Sequence, residues 1–236
     1  MFGLGTLVNS AAIIVGGLFG LLCGRLLPEQ AQKALMTACG LCVIFIGIEG
    51  TLVKGITIVN GQLQSKGTLM MVGSFAIGTL AGELINIEKS IECFGEWLKH
   101  KTGSSDDKCF IHAFVTASLT VSVGAMAIVG AIADGISGDC SILFVKSILD
   151  FVIIMIMAAA MGKGCVFSAI PVAIIHFSVT AFAFLISPLL TQHALDNLSL
   201  TGSMIIFCVG VNLVWHVHIR VANMLPVLLI SMLWPA

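Results

Sequence analysis

Seven long apolar stretches run through the chain, at 4–24, 34–53, 68–86, 110–132, 141–161, 164–188 and 201–215. A helix needs about 20 apolar residues to cross the hydrocarbon of a bilayer. An eighth stretch, 221–235, is shorter and reads as a short last span. The pattern specifies an all-α, polytopic transmembrane helix bundle of 7–8 helices, a single transmembrane domain over residues 1–236. Composition excludes the alternative of a soluble fold. Charged residues make up 10% of the chain and hydrophobic residues 58%, whereas soluble domains carry about 25% charged residues to cover their surface.

Other classes fall away quickly. A formal net charge of −1 gives no electrostatic basis for binding nucleic acid. No Lys or Arg precedes the first apolar stretch, so it reads as a retained span rather than a secretory signal. Of the eight cysteines, Cys23, Cys39, Cys42, Cys165 and Cys208 lie in apolar stretches, where a thiol acts as a small hydrophobe. "CGLC" at 39–42 has CxxC spacing but no His or second pair to complete a metal or redox site.

Lysine and arginine positions orient the bundle. With the N-terminus outside, the inner loops hold Arg25, Lys33, Lys89, Lys99, Lys101, Lys108, Lys163 and Arg220, and the outer loops only Lys54 and Lys66. Within the outer loop 54–67, "ITIVNGQLQ" is a β-branched run, Asn-Gly and then alternation, the signature of a hairpin. In the inner segment 87–109, Ile87, Ile91, Phe94 and Leu98 fall on one helical stripe opposite Glu88, Glu92, Glu96 and Lys99. That pattern suits a cytoplasmic amphipathic helix on the membrane surface, or one packed over other loops, followed by the connector "TGSSDDK".

Small residues mark the helix contacts. Gly16, Gly20 and Gly24 form a ladder on the first span, Gly78 and Gly82 on the third, and Gly124 and Gly130 punctuate the fourth. Lipid supplies no hydrophobic force between helices, so close backbone approach holds them together. Packing inside one subunit is favoured; a homo-oligomer seam is the other use of such ladders. Two segment pairs also echo each other, "GTLVNSAAII" with "GCVFSAIPVAII" and "CVIFIGIE" with "IIFCVGVN". Their expected directions are opposite, which suggests an inverted repeat of helices 1–3 against 6–8 around a central pair, an arrangement common in transporters.

The fifth span, "SILFVKSILDFVIIMIMAAAM", buries Lys146 and Asp150 four residues apart. A charge at a helix centre costs about 2.5–3.5 kcal/mol to insert, and intramembrane ionisable groups are first read as functional. The competing reading is a structural lock between helices. Ser118 and Ser122, one turn apart on the preceding span, are expected to face the pair, with Asn9 and Asn212 as further polar-core residues. Asp134 and Asp139, in "ADGISGDCS", are expected at an outer mouth, where they would attract cations or simply shape the turn. Asn223 is placed to cap the last short helix, with Pro226 in its first turn. His112 and His176 lie in spans, and "HVHIR" at 216–220 reads as an interfacial anchor. No pair of span histidines has ligand spacing, and no nucleophile elbow, HExxH or phosphate loop occurs, so neither metal, cofactor nor enzyme activity is expected.

Taken together, "GTLVNSAAIIVGGLFGLLCGRLLPE", "GAMAIVGAIADGISGD", "KSILD", "GKGCVFSAIPV" and "VANMLPVLL" resemble the YqgA/YdfK-like bacterial membrane proteins, a family of unknown function. The resemblance spans nearly the whole chain and is most specific over 114–171. It implies a multi-pass protein of the bacterial cytoplasmic membrane and carries over no substrate or catalytic residue. The expected function is a membrane transporter or channel for an unidentified small solute or ion, with the bilayer as its other partner. The alternative is a non-transporting membrane scaffold or sensor.

Overall fold

The computed structural model describes residues 3–24, 26–59, 61–104, 107, 109–122, 125–186, 191–215, 217 and 219–235. Among these, six helical segments are long and apolar enough to cross a membrane. They are α1 (Leu4–Gly24), α2 (Glu29–Gly55), α3 (Thr68–Ile85), α7 (Ser141–Met161), Lys163–Ala181 and α10 (Gln192–Trp215). The fifth of these opens with a 3-10 turn, Lys163–Ser168, and continues as α8, Ala169–Ala181. The fold is all-α, as its apolar text dictates. Leu18, Leu22, Phe45, Leu69, Leu80 and Leu84 all face outward, leaving the apolar exterior that hydrocarbon requires.

The fourth span departs from expectation. Residues 110–132 do not form one straight helix. The span's described residues belong to two shorter ones, α5 (Phe110–Ser122) and α6 (Ala125–Ser137), whose axes diverge by 62°. Gly124, expected to serve in helix packing, lies outside the described residues. The last segment is also corrected. It is a 3-10 turn, Val221–Met224, followed by α11 (Pro226–Met232), too short to cross and laid against α3. Pro226 sits at the start of α11, where its missing N–H costs nothing.

Glycines determine which helices meet. A Cβ built on Gly16 would lie 2.5 Å from the Phe151 carbonyl, and one on Gly24 would lie 2.6 Å from that of Ala159. Gly20 faces Met155 in the same way, so the whole ladder is consumed in a parallel contact of α1 with α7. Gly130 admits Leu143, fixing α6 to α7. Gly78 and Gly82 back onto Val227 and Asn223, so α3 runs antiparallel to the C-terminal segment.

The contact between α2 and α10 has an internal regularity. A Cβ on Gly47 would meet the Phe207 amide nitrogen at 2.6 Å and the Ser203 carbonyl oxygen at 2.7 Å. A Cβ on Gly210 would meet the Ile44 amide nitrogen at 2.7 Å and the Gly40 carbonyl oxygen at 2.9 Å. Each glycine thus meets the residues three and seven before the other. The two antiparallel helices are related by a local two-fold.

The accessory elements form as their sequences specify. Strands β1 (Ile56–Val59) and β2 (Gln62–Ser65) pair antiparallel, with Val59 opposite Gln62 and Gly61 at φ +77 in the turn. Lys54 and Lys66, flanking this hairpin, both reach Asp196 on α10, at 2.8 and 3.5 Å. Helix α4 (Ile87–Lys101) turns Ile91, Phe94 and Leu98 onto Phe110 and Phe114 of α5. Its apolar stripe is thus covered by α5. Helix α9 is a single turn, Ala183–Ile186.

Substituting Gly20→Leu should separate α1 from α7 and cost at least about 1–3 kcal/mol, the usual penalty for overpacking. The midpoint of thermal unfolding in detergent is the measurement. Because the ladder faces α7 and not a second subunit, the native particle size should not change where the protein remains folded.

Candidate functional site

Lys146 and Asp150 occupy successive turns of α7, with Asp150 near its middle. Their side chains stay inside the bundle, the residues being 7% and 3% exposed. The Lys146 ammonium donates to Asp150 Oδ1 at 2.9 Å, to Asp150 Oδ2 at 2.7 Å and to the carbonyl of Val121 at 2.7 Å. All three of its donors are therefore used. Asn9 Nδ2, on α1, donates to Asp150 Oδ2 at 2.8 Å.

The position of Val121 explains the third bond. It lies in the last turn of α5, where carbonyls have no amide four residues ahead in the same helix. That end carries the negative pole of the helix dipole and attracts a cation. A continuous helix through 110–132 would have used this carbonyl internally. The break exposes it, and Lys146 caps it. Three elements, α1, α5 and α7, are thus tied together through one ion pair.

Other buried polar atoms lie on α1 and α8. Asn9 Oδ1, Thr6 Oγ1 on α1, and both ring nitrogens of His176 and Thr180 Oγ1 on α8 have no hydrogen-bond partner among the described residues. His176 is fully buried on α8. Its apolar flanks in the sequence gave no sign of this setting.

A cleft of about 380 Å³ reaches the pair from the end of the bundle that carries Lys54. Glu49, Lys54, Ser199 and Ser203 border it together with Lys146 and Asp150. A second pocket, about 290 Å³, opens at the other end between α4, α5 and α10, with Glu88, Glu92, His112, Thr116 and Asn212 in its wall. Ile206 borders the first and Val209 the second. They are three residues apart on α10, about 4.5 Å of helical rise.

Several expected site residues are placed elsewhere. Asn212 does not join Lys146 and Asp150. Its carboxamide clamps the backbone of Ile219, donating to the carbonyl at 2.8 Å and accepting from the N–H at 3.0 Å. Ser118 is buried and Ser122 half-buried, and both face a different, apolar cavity of about 460 Å³ walled by Phe94, Phe114, Ile174 and Leu228. Lying on the opposite flank of α5, they do not line the ion pair.

Asp134 is not at an open mouth either. It is buried, and its Oδ2 accepts from the Gly5 N–H at 3.0 Å, capping the first turn of α1. Asp139 is exposed and accepts from the Ser141 N–H at 2.9 Å at the start of α7. Hydrogen bonds from Ser141 hold its carboxyl below the usual range. Asn223 caps α4 rather than its own segment, accepting from the Glu88 N–H at 2.8 Å. Glu83 pairs with Arg220 at 3.0 Å on the exposed surface. His216 and His218 lie outside the described residues.

These features define a helical integral-membrane protein with a buried ion pair at a broken helix. The chain belongs to the family described as protein of unknown function (DUF554), whose model matches residues 4–236. It is 29% identical over 233 residues to the uncharacterized protein YqgA of Escherichia coli (strain K12), covering 97% of this chain and 94% of that one. It is 25% identical over 226 residues to the uncharacterized membrane protein YdfK of Bacillus subtilis (strain 168), covering 96% and 93% respectively. No solved structure matches the chain.

Removing one partner of a buried pair leaves the other charged and unsatisfied, which costs about 3–5 kcal/mol. Lys146→Met and Asp150→Leu should each lose that much in equilibrium unfolding. The double variant should lose far less than the sum, because no charge is stranded. Additive losses would mean that the two side chains do not interact.

Proposed function

We propose that this protein is a transporter or channel of the bacterial cytoplasmic membrane for a small solute or ion, with Lys146, Asp150 and Asn9 at its polar centre. One observation carries the reading: an ion pair buried near mid-span is reached by a cleft from one end, while a polar pocket approaches α10 from the other. A helix broken beside the pair is consistent with it, since unwound or terminal backbone at membrane depth occurs where it is buried in protein or lines a water-filled cavity. In this proposal the end bearing Lys33, Lys99, Lys101, Lys163 and Arg220 faces the cytoplasm and the N-terminus lies outside, the orientation that the positive-inside bias favours.

The inverted repeat belongs to this proposal. Antiparallel contacts join α2 to α10 and α3 to the C-terminal segment. Gly3 meets Phe177 and Gly17 meets Val166, giving α1 the same relation to α8 and the turn before it. Each member of the first triplet therefore touches its expected mate with reversed direction. The local two-fold through Gly47 and Gly210 is the arrangement such a repeat generates.

A second reading has an observation of its own. The ammonium is saturated by three acceptors, as a fixed structural lock would require. Proteoliposomes separate the two. Currents on a solid-supported membrane, recorded across a panel of inorganic ions and small solutes, should show a response absent from empty liposomes. Lys146→Met and Asp150→Asn should abolish it while the protein remains folded. Unaltered currents in both variants would overturn the assigned role. No response to any solute, with the exchanged pair Lys146→Asp/Asp150→Lys fully stable, would favour the scaffold.

A further inference from the structure

We propose that Lys146 occupies, as a tethered ammonium, a binding site for a monovalent cation. The site's ligands are all oxygens. Asp150 supplies two at 2.9 and 2.7 Å from the ammonium nitrogen, and the Val121 carbonyl supplies a third at 2.7 Å. A further oxygen is on Asn9, which touches Asp150 but makes no hydrogen bond to the ammonium. Its Nδ2 is already fixed 2.8 Å from Asp150 Oδ2, while its Oδ1 is fully buried and has no partner among the described residues. A carboxylate, a carboxamide oxygen and a carbonyl at the negative end of a helix are the donors that bind hard cations. The inference rests on this geometry and does not require the transport reading.

The charge of the ligand follows from the surroundings. Asp150 is the site's one carboxylate, 3% exposed and deep in the bundle. A single positive charge neutralises it, whereas a divalent ion would leave an excess charge in a low-dielectric interior. No thiol or imidazole ligates the ammonium, so nothing selects a soft or transition metal. An alkali ion fits both requirements, and the ammonium is close to potassium in size. The cleft that borders Lys146 and Asp150 also contains Ser199 and Ser203, giving an ion a partly polar approach.

In the wild-type chain the tether removes any need for an alkali ion to keep Asp150 ionised. A cation entering the cleft must displace the ammonium to bind. The ion requirement should therefore emerge only when the tether is cut.

The test uses full-length protein purified in detergent, with thermal unfolding measured in lithium, sodium or potassium chloride against choline chloride at equal ionic strength. Lys146→Ala should gain at least about 3 °C from one of the alkali ions. Wild type and Lys146→Ala/Asp150→Ala should show no difference between alkali and choline. A Lys146→Ala protein indifferent to all three ions, or an equal shift in the double variant, would overturn the proposal. Lys146→Gln, which leaves an oxygen in the space, carries the same comparison if the alanine variant is not recovered folded. Failure of both to gain alkali-dependent stability or recovery counts against the site. Alkali binding in a protein that moves no solute would leave the cation site standing and remove only the transport reading.

Discussion

The neutralisation of Asp150 by Lys146 organises the centre of this bundle. Either ion alone is costly at that depth. Together they need further partners, because an i, i+4 pair with lysine first is not the favoured order on a helix. Asn9 and the Val121 carbonyl supply them. The consequence is architectural as well as electrostatic. One pair fixes the height of α1 against α7 and the position at which the fourth span stops being one helix.

Close backbone packing does the rest. The α1 ladder on α7 brings Asn9 within reach of Asp150, and Gly130 lets α6 settle on the same helix. Asp134 ties the first turn of α1 to α6 from the side. Asp134 and Asp139, read from sequence either as a cation-attracting mouth or as turn residues, both bond the backbone at helix starts. Asn212 likewise trades a central role for a local one, pinning the chain where it leaves α10.

The global class was legible because hydropathy over about 20 residues is a strong physical constraint. The hairpin was legible because Asn-Gly between alternating strands has few other solutions. Lys146, Asp150 and Asn9 stood out because each is costly in hydrocarbon without a partner. What sequence did not reveal was direction around a helix axis. Ser118 and Ser122 share a face, but only tertiary packing decides that this face meets Phe94 and Leu228 instead of α7. The break was hidden because Val121, Ser122 and Ala125 are compatible with a helix. Gly124 was read as a packing residue and lies outside the described residues. Asp196 was missed because its partners, Lys54 and Lys66, are more than 120 residues away in sequence.

The reciprocal meeting of Gly47 and Gly210 has a mechanical meaning. Interlocked side chains resist sliding, since each must leave its rotamer well before its neighbour can pass. Here main chain rests on main chain at both glycines, with the Ile44 side chain beside Gly210. Such a surface behaves as a bearing: tilting one helix about the crossing point opens one edge as it closes the other, and no large side chain at these two positions has to be unlatched first.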